Sequence, residues 1–174
     1  MHRDEEEAFS SYVAARRDRV RRIAFLLCGD WHRADDLTQT AFVKLYGAWD
    51  KVRDRGALDA YVRSCLVRAV VDESRRPWRR ERSVDVLPEV AGLDDLAERV
   101  VDRDRVRAAL AAVPPGQRTA LVLRYFEGLD VAATAAALGC SEGTVKSQTA
   151  RGLAALKREL ERAPARGPAE GGAS

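Results

Sequence analysis

The sequence predicts an all-α protein made of two small helical domains that a flexible acidic linker joins. Apolar residues recur at helical spacing in several separate segments, while runs rich in strand-forming residues are scarce. Hydrophobic residues make up 46% and charged residues 33% of the 174 residues, a composition typical of a soluble, folded chain. We expect domains at residues 1–80 and 100–162, a linker at 81–99 and a disordered tail at 163–174.

The first domain is predicted to contain three amphipathic helices. The first helix has its apolar residues between Phe9 and Leu27 and ends near Gly29. The third runs from Leu58 to about Arg76, where Pro77 should stop it. The second helix begins near Trp31 and carries a long apolar stripe, which consists of Leu37, Ala41, Leu45 and Ala48.

Charge is distributed unevenly along the chain, although the net charge is only +3. Residues 61–82 are rich in arginine: Arg63, Arg68, Arg75, Arg76, Arg79, Arg80 and Arg82. Residues 83–104 are rich in acids: Asp85, Glu89, Asp94, Asp95, Glu98, Asp102 and Asp104. A basic block beside an acidic one indicates a polyanion-binding face followed by a connector.

The second domain is predicted to contain a helix-turn-helix. Val131, Ala135 and Leu138 fall on one face of a short helix. Gly139 can leave that helix in the left-handed conformation, and Ser141 can cap the N-terminus of the next one. A short helix, a turn with glycine and a second helix with a polar face are typical of this DNA-binding motif.

The polar face of the second helix offers donors and acceptors suited to a DNA major groove. Arginine pairs with guanine, glutamine with adenine, and hydroxyl groups with phosphates or base edges. An ordinary helical hairpin with a solvated face is the alternative. The predicted DNA-binding residues are Thr144, Lys146, Ser147, Gln148 and Arg151.

The pattern of chemically active residues indicates neither an enzyme nor a metal site. His2 and His32 are isolated, and the sequence has no HExxH spacing or glycine-rich phosphate loop. Cys28, Cys65 and Cys140 form no CxxC pair, so we expect small buried thiols in a reducing compartment. An apolar signal core and a run long enough to span a bilayer are both missing. We therefore expect a cytoplasmic protein without enzymatic activity, cofactor, metal or membrane insertion.

Three segments resemble parts of the sigma factors of the sigma-70 superfamily. GDWHRADDLTQTAFVKLY at residues 29–46 is similar to the core-binding helix of region 2. AYVRSCLVRAVVDESRRPWRRER at residues 60–82 is similar to the promoter-melting part of that region, and CSEGTVKSQTARGL at residues 140–153 to the recognition helix of region 4. Their order and separation resemble the small extracytoplasmic-function sigma factors (group 4), and within them the SigE-like actinobacterial family. The resemblance equates residues 1–80 with region 2 and residues 100–162 with region 4.

The resemblance implies that the second helix docks on core RNA polymerase, at the clamp helices of the largest subunit, with the flap as a further contact. Apolar anchors inside a polar rim suit such a non-obligate interface. The alternative is that Asp35 and Asp36 are ordinary acidic residues near the N-terminus of a helix, where negative charge is favourable, and bind no partner. The implied core-binding residues are Asp35, Asp36, Leu37, Gln39, Lys44 and Leu45.

The resemblance also implies promoter DNA as a partner. The recognition helix would read the minus-35 element, and the arginine-rich block would read and melt the minus-10 element. Melted DNA needs cations for its backbone and flat rings on which unpaired bases stack. The alternative is that the arginines form an ordinary solvent-exposed face and that Tyr61 and Trp78 belong to the hydrophobic core. The implied minus-10 residues are Arg53, Arg55, Tyr61, Arg63, Arg68, Arg75, Arg76, Trp78 and Arg79.

One position departs from the family pattern. Many relatives carry asparagine four residues before the aspartate that aligns with Asp72, and this chain has Arg68 there. The downstream sequence preference of the chain therefore stays open. Many family members are held inactive by an anti-sigma factor that covers both domains, which makes such a protein a candidate partner.

Other functional classes compete with a sigma factor at this point. A stand-alone helix-turn-helix regulator would bind duplex DNA without polymerase, but it would leave the core-binding segment unexplained. A nucleic-acid-processing enzyme with paired acids and a metal would need a constellation that the sequence lacks. A helical adaptor that binds only protein would leave the groove-facing pattern between Lys146 and Arg151 without a purpose.

Overall fold

The computed structural model describes residues 2–52, 54–74 and 103–162, and all of its regular elements are helical. The expected linker and tail fall outside these ranges. So do five of the implied minus-10 residues, namely Arg53, Arg75, Arg76, Trp78 and Arg79. Within the described residues, no helix is both long enough and apolar enough to cross a membrane.

The first module is a bundle of three α-helices. Helix α1 spans Arg3–Cys28, α2 spans Trp31–Ala48 and α3 spans Leu58–Ser74. A single 3-10 turn, Arg55–Ala57, leads into α3. The core of the bundle lies between the three helices, because each presents an apolar stripe at helical spacing to the other two.

Local sequence signals fix the tight corner between α1 and α2. Gly29 has a φ of 75°, a left-handed conformation that glycine adopts without strain, and its N–H donates to the Phe25 carbonyl oxygen at 2.7 Å. The Asp30 carboxylate then accepts hydrogen bonds from the backbone N–H groups of His32 and Arg33. The predicted end of the first helix near Gly29 is therefore confirmed.

The second module contains four α-helices and one π-helical turn. Its elements are α4 (Arg103–Ala112), α5 (Pro115–Leu121), the π-helical turn (Val122–Phe126), α6 (Val131–Leu138) and α7 (Glu142–Arg162). Helix α7 packs against α4, α5 and α6 and forms the centre of this module. A π-turn widens the helix locally, and such turns are often associated with functional sites.

The predicted helix-turn-helix is present. Gly139 ends α6 with a φ of 65°, and its N–H donates to the Ala135 carbonyl oxygen. The Ser141 hydroxyl accepts the backbone N–H of Thr144 at 3.1 Å, which caps α7 as expected. The start of α6 is capped in the same way by Asp130.

The two modules pack against each other. One continuous cluster of buried apolar side chains extends from Val20 on α1 to Leu160 on α7. Helix α1 contacts α4 and α5, while α3 contacts α5 and α6. The Arg118 guanidinium on α5 donates to the Leu27 carbonyl oxygen at 3.1 Å, and it thereby satisfies one of the carbonyl groups left free at the end of α1.

The close approach of α7 to α5 gives a prediction about glycine. A Cβ atom on Gly152 would lie 2.9 Å from Leu121 Cγ and 3.2 Å from the Gln117 carbonyl oxygen, and Leu121 is itself buried. We expect Gly152→Ala to lower the free energy of unfolding by about 1–3 kcal/mol because the helices must separate.

Gly47→Ala is the matched control. Gly47 lies near the end of α2, and a Cβ atom there would meet no other atom within 4 Å. Its replacement should raise stability by up to about 1 kcal/mol, since alanine is the better helix former. Urea unfolding followed by circular dichroism measures both changes. A Gly152→Ala variant as stable as the parent would contradict the close packing.

Candidate nucleic-acid and partner-binding surfaces

Helix α7 presents a polar strip to solvent. Thr144 and Lys146 are exposed, and Ser147 and Arg151 are partly exposed. Val145, which falls between them in the sequence, is fully buried. One side of the helix therefore packs against the other helices of its module. The predicted DNA-binding residues, with one exception, lie on the other side.

Gln148 is the exception. Its side-chain amide packs beside Gly116, where an added Cβ atom would lie 3.8 Å from the amide nitrogen. The Oε1 atom of Gln148 is buried without a hydrogen-bond partner. The reason is helical spacing, because residue 148 follows Val145 by three positions and precedes Gly152 by four. Gln148 thus lies at the edge of the buried stripe and not on the outer face where the sequence pattern had placed it.

Two of the implied core-binding residues are not available at the surface. Leu37 is 8% exposed and Leu45 is fully buried, and both belong to the hydrophobic core of the first module. Their selection as surface anchors was wrong. These leucines belong to the stripe that also contains Ala41, and in a three-helix bundle the most regular apolar stripe faces inward.

The exposed apolar groups of α2 lie on a second stripe, which the sequence reading missed. Val43 is 65% exposed and Tyr46 is 48% exposed. Together with Asp36 and Gln39 they fall at spacings of three and four residues and therefore share one face of the helix. The same spacing rule could have found them from the sequence.

A groove of about 870 Å³ runs between this stripe and α1. Its walls carry apolar groups from Phe9 and Val13 as well as from Val43. Phe9 is held edge-on against the rings of Tyr46 and Trp49, with ring centroids 5.2 and 5.3 Å apart. The surface thus combines apolar area with carboxylates and an amide, as a partner-binding face does.

Asp35 lies on the wall of this groove and is paired with Arg21. The Arg21 guanidinium donates to the Asp35 carboxylate and also lies 4.3 Å from the centre of the Trp31 ring. Trp31 in turn stacks on Phe25 at 4.0 Å. The hydrogen bond from Arg21 lowers the pKa of the Asp35 carboxyl from its ordinary 3.8.

Lys44 lies away from the groove. It follows Leu37 by seven residues and so lies beside the buried stripe, on the side of α2 that faces α3. The Tyr61 hydroxyl on α3 donates to the Lys44 carbonyl oxygen at 3.5 Å. Of the six implied core-binding residues, the structure gathers only Asp35, Asp36 and Gln39 along the groove.

The described residues of the implied minus-10 set are distributed over the 3-10 turn that leads into α3 and over the start and the middle of α3. Arg55 is exposed on the 3-10 turn, and the Asp54 carboxylate caps this turn by accepting the Gly56 N–H at 2.9 Å. Arg68 is exposed and Tyr61 is partly exposed. Arg63 is the one member of this group that reaches the second module, where it pairs with Glu127.

The three cysteines are free thiols. Cys65 is buried, whereas Cys28 and Cys140 are partly exposed, so only one of the three is buried as expected. Burial raises the pKa of all three thiols above the ordinary value, which keeps them protonated near neutral pH.

The Arg21–Asp35 pair gives a prediction about pH. Because the folded-state pKa of Asp35 is lowered, the pair contributes stability above the unfolded-state pKa and loses it as the pH falls through the folded-state value. A carboxyl-carbon NMR titration should place the pKa of Asp35 below 3.8, and Arg21→Gln should return it toward that value. An unchanged titration in the variant would contradict the pairing.

Comparison with known families matches both modules. The Sigma-70 region 2 model matches residues 12–80, and the Sigma-70 region 4 model matches residues 103–156. The chain is 40% identical to the RNA polymerase sigma-E factor of Streptomyces avermitilis over 88% of this chain and 85% of that protein. It is 38% identical to the Streptomyces coelicolor sigma-E factor over 87% and 85%.

A solved structure has the same fold. The sigma factor RpoE of Bartonella quintana, crystallised with the anti-sigma factor NepR, aligns with a TM-score of 0.65 and 23% identity. The alignment covers 90% of this chain and 98% of that one. The resemblance to SigE-like sigma factors is thus confirmed, and the chain belongs to the sigma-70 family of RNA polymerase sigma factors.

Proposed function

We propose that this chain binds core RNA polymerase and directs transcription initiation at promoters with a minus-35 and a minus-10 element. The observation that carries the proposal is the capped helix-turn-helix of the second module, which presents an exposed polar strip of α7 and is joined to a first module of the region 2 type. Polymerase performs the chemistry, and the chain supplies sequence recognition without a cofactor or catalytic site of its own.

Core polymerase docks on the groove between α1 and α2. The exposed Val43 and Tyr46 side chains supply the apolar contacts that Leu37 and Leu45 cannot make from inside the core. Asp36 forms part of the polar rim. Apolar groups at the centre of a patch contribute most of the binding free energy, while the polar rim sets orientation and specificity.

Helix α7 enters the major groove of the minus-35 element. Arg151 is suited to bidentate hydrogen bonds with a guanine. Lys146 carries a mobile point charge and is suited to contact with a phosphate. Thr144 and Ser147 supply hydroxyl groups at the N-terminal end of the helix, where backbone N–H groups also favour phosphate. Gln148 can pair with adenine only if its side-chain amide first moves away from its packed position beside Gly116.

The minus-10 element is read and melted by α3 and the segments that flank it. Tyr61 offers a flat ring at the start of the helix, and Arg55 and Arg68 offer exposed cations. Arg53, Arg75, Arg76, Trp78 and Arg79 stay predictions for the same surface, since they lie outside the described residues. The protein acts in the cytoplasm, where polymerase and promoter are found, and an anti-sigma factor is a candidate regulator.

Run-off transcription with bacterial core polymerase, with and without this protein, on fragmented genomic DNA from the source organism tests the proposal. We expect discrete new transcripts whose start sites share two upstream elements. Tight duplex binding without core binding and without transcripts would overturn the proposal in favour of a stand-alone helix-turn-helix regulator.

The docking surface gives a prediction about α2. Val43→Ala and Tyr46→Ala should each weaken binding to core polymerase by about tenfold, because each removes an apolar anchor from the groove. Lys44→Ala is the control, since Lys44 lies on the other side of the same helix. Fluorescence anisotropy with labelled protein measures the three affinities. Equal losses for all three variants would contradict docking at the groove.

The recognition helix gives a prediction about specificity. Arg151→Ala should lower discrimination at one base pair of the minus-35 element by about 1–3 kcal/mol. Lys146→Ala should weaken binding by similar factors on all promoters and reduce its salt dependence. Competition assays on a set of singly substituted promoters separate the two effects. A uniform loss for Arg151→Ala would contradict its role as a base reader.

A further inference from the structure

Tyr12 on α1 contacts both ends of the segment that joins α2 to α3. Its hydroxyl donates to the Asp59 carboxylate, in the first turn of α3, at 2.7 Å. Its ring lies 6.2 Å from the ring of Trp49, the residue that follows α2, at an angle of 55°. A single side chain of α1 therefore contacts the residue at which the connecting segment begins and the helical turn at which it ends.

Each end of the segment has a second contact with α1. At the start of α3, Arg16 Nε lies 3.2 Å from Oδ1 of Asp59, the same oxygen atom that accepts the Tyr12 hydroxyl. At the end of α2, the Phe9 ring packs edge-on against the Trp49 ring, with centroids 5.3 Å apart. The three α1 residues fall at spacings of three and four and therefore share one face of the helix. That face holds the two ends of the segment in a fixed relation to each other.

The 3-10 turn before α3 is held by short local hydrogen bonds. The Asp54 carboxylate accepts the Gly56 N–H, and the Asp54 carbonyl oxygen accepts the Ala57 N–H, both at 2.9 Å. Asp54, Arg55 and Gly56 are exposed, so water competes for these hydrogen bonds. The place of the turn on the module therefore depends on the helix that follows it. Asp59 comes four residues after Arg55, which is about one helical turn.

The chemistry of the Tyr12–Asp59 contact suits a fixed support. Burial and the hydrogen bond to Asp59 raise the pKa of the Tyr12 phenol above its ordinary 10.0, so the hydroxyl stays protonated and remains a donor near neutral pH. A hydrogen bond to an ionised acceptor is stronger than one between neutral groups. An aromatic side chain also loses little conformational entropy when it is held, because it has only two torsions to fix.

We propose that Tyr12 is a positioning residue for minus-10 recognition, which acts through Asp59 to set the place of the 3-10 turn and so of Arg55. The inference rests on the proposed function, since Arg55 is one of its minus-10 residues. Tyr12 does not touch DNA. It matters because hydrogen bonds weaken steeply outside a narrow range of distance and angle, so the guanidinium group of Arg55 must be presented in one place to favour one base over another.

Tyr12→Phe tests the proposal, because it removes the hydroxyl and keeps the ring beside Trp49. We expect hydrogen exchange at the Gly56 and Ala57 amides of the free chain to become about tenfold faster, since loss of one charge-assisted hydrogen bond shifts a local opening equilibrium by about that factor. In the complex with core polymerase, base discrimination at the minus-10 element should fall by about threefold to tenfold. Affinity for core polymerase and discrimination at the minus-35 element should stay unchanged. NMR exchange rates and competition between singly substituted promoters measure these effects.

Three further variants separate positioning from general destabilisation. In an Asp59→Ala background, Tyr12→Phe should change neither measurement further, because the hydroxyl has no carboxylate left to bind. Tyr125→Phe removes a hydroxyl from an exposed ring of the second module and is the matched control. Val20→Ala weakens the core of the first module about two helical turns further along α1. Both controls should discriminate between minus-10 bases as the parent does.

The outcomes distinguish this inference from the proposed function. Faster exchange in Tyr12→Phe that disappears in the Asp59→Ala background supports positioning of the turn even if the chain directs no transcription. Unchanged exchange, or an equal change in the Asp59→Ala background, overturns the positioning role even if transcription is normal. Faster exchange with minus-10 discrimination equal to that of the parent overturns the claim that this position serves base recognition.

Discussion

The two modules of the described chain are joined by an ion pair, in which the Glu127 carboxylate lies between two guanidinium groups. Glu127 and Arg63 form the less solvated pair, and removing one of them leaves the other charge without compensation, so these two side chains stabilise each other only while the modules stay together. The apolar cluster that continues from one module into the other also stabilises the packed modules, but the hydrophobic effect does not depend on the orientation of the groups. The ion pair adds orientation, because it is satisfied in one docking geometry alone.

The packing of the two modules leaves the proposed docking surface open. The groove between α1 and α2 lies on a face of the first module that the second module does not cover, so Val43 and Tyr46 stay exposed while the modules are packed together. The α3 face around Arg63 is covered.

Much of the fold and part of the surfaces could be predicted from the sequence. Gly29, Gly139 and Ser141 act through neighbouring backbone groups, so their turns and caps follow from short-range chemistry. Only half of the residues implied for core binding lie along the proposed docking surface, because Leu37 and Leu45 share the most regular apolar stripe of α2, and that stripe faces the core. Contacts of Glu127 could not be predicted, since Arg63 is 64 residues away and pairing across that distance depends on how the modules pack.

The distance between the two modules in the free chain tests this account most directly. Fluorophores can be attached through unnatural amino acids at Ser11 on α1 and Lys157 on α7, which are both exposed. We expect a single short distance, because the apolar core and the Glu127–Arg63 pair continue from one module into the other. A free chain in which the two positions are far apart, or in which several distances are populated, would contradict the account.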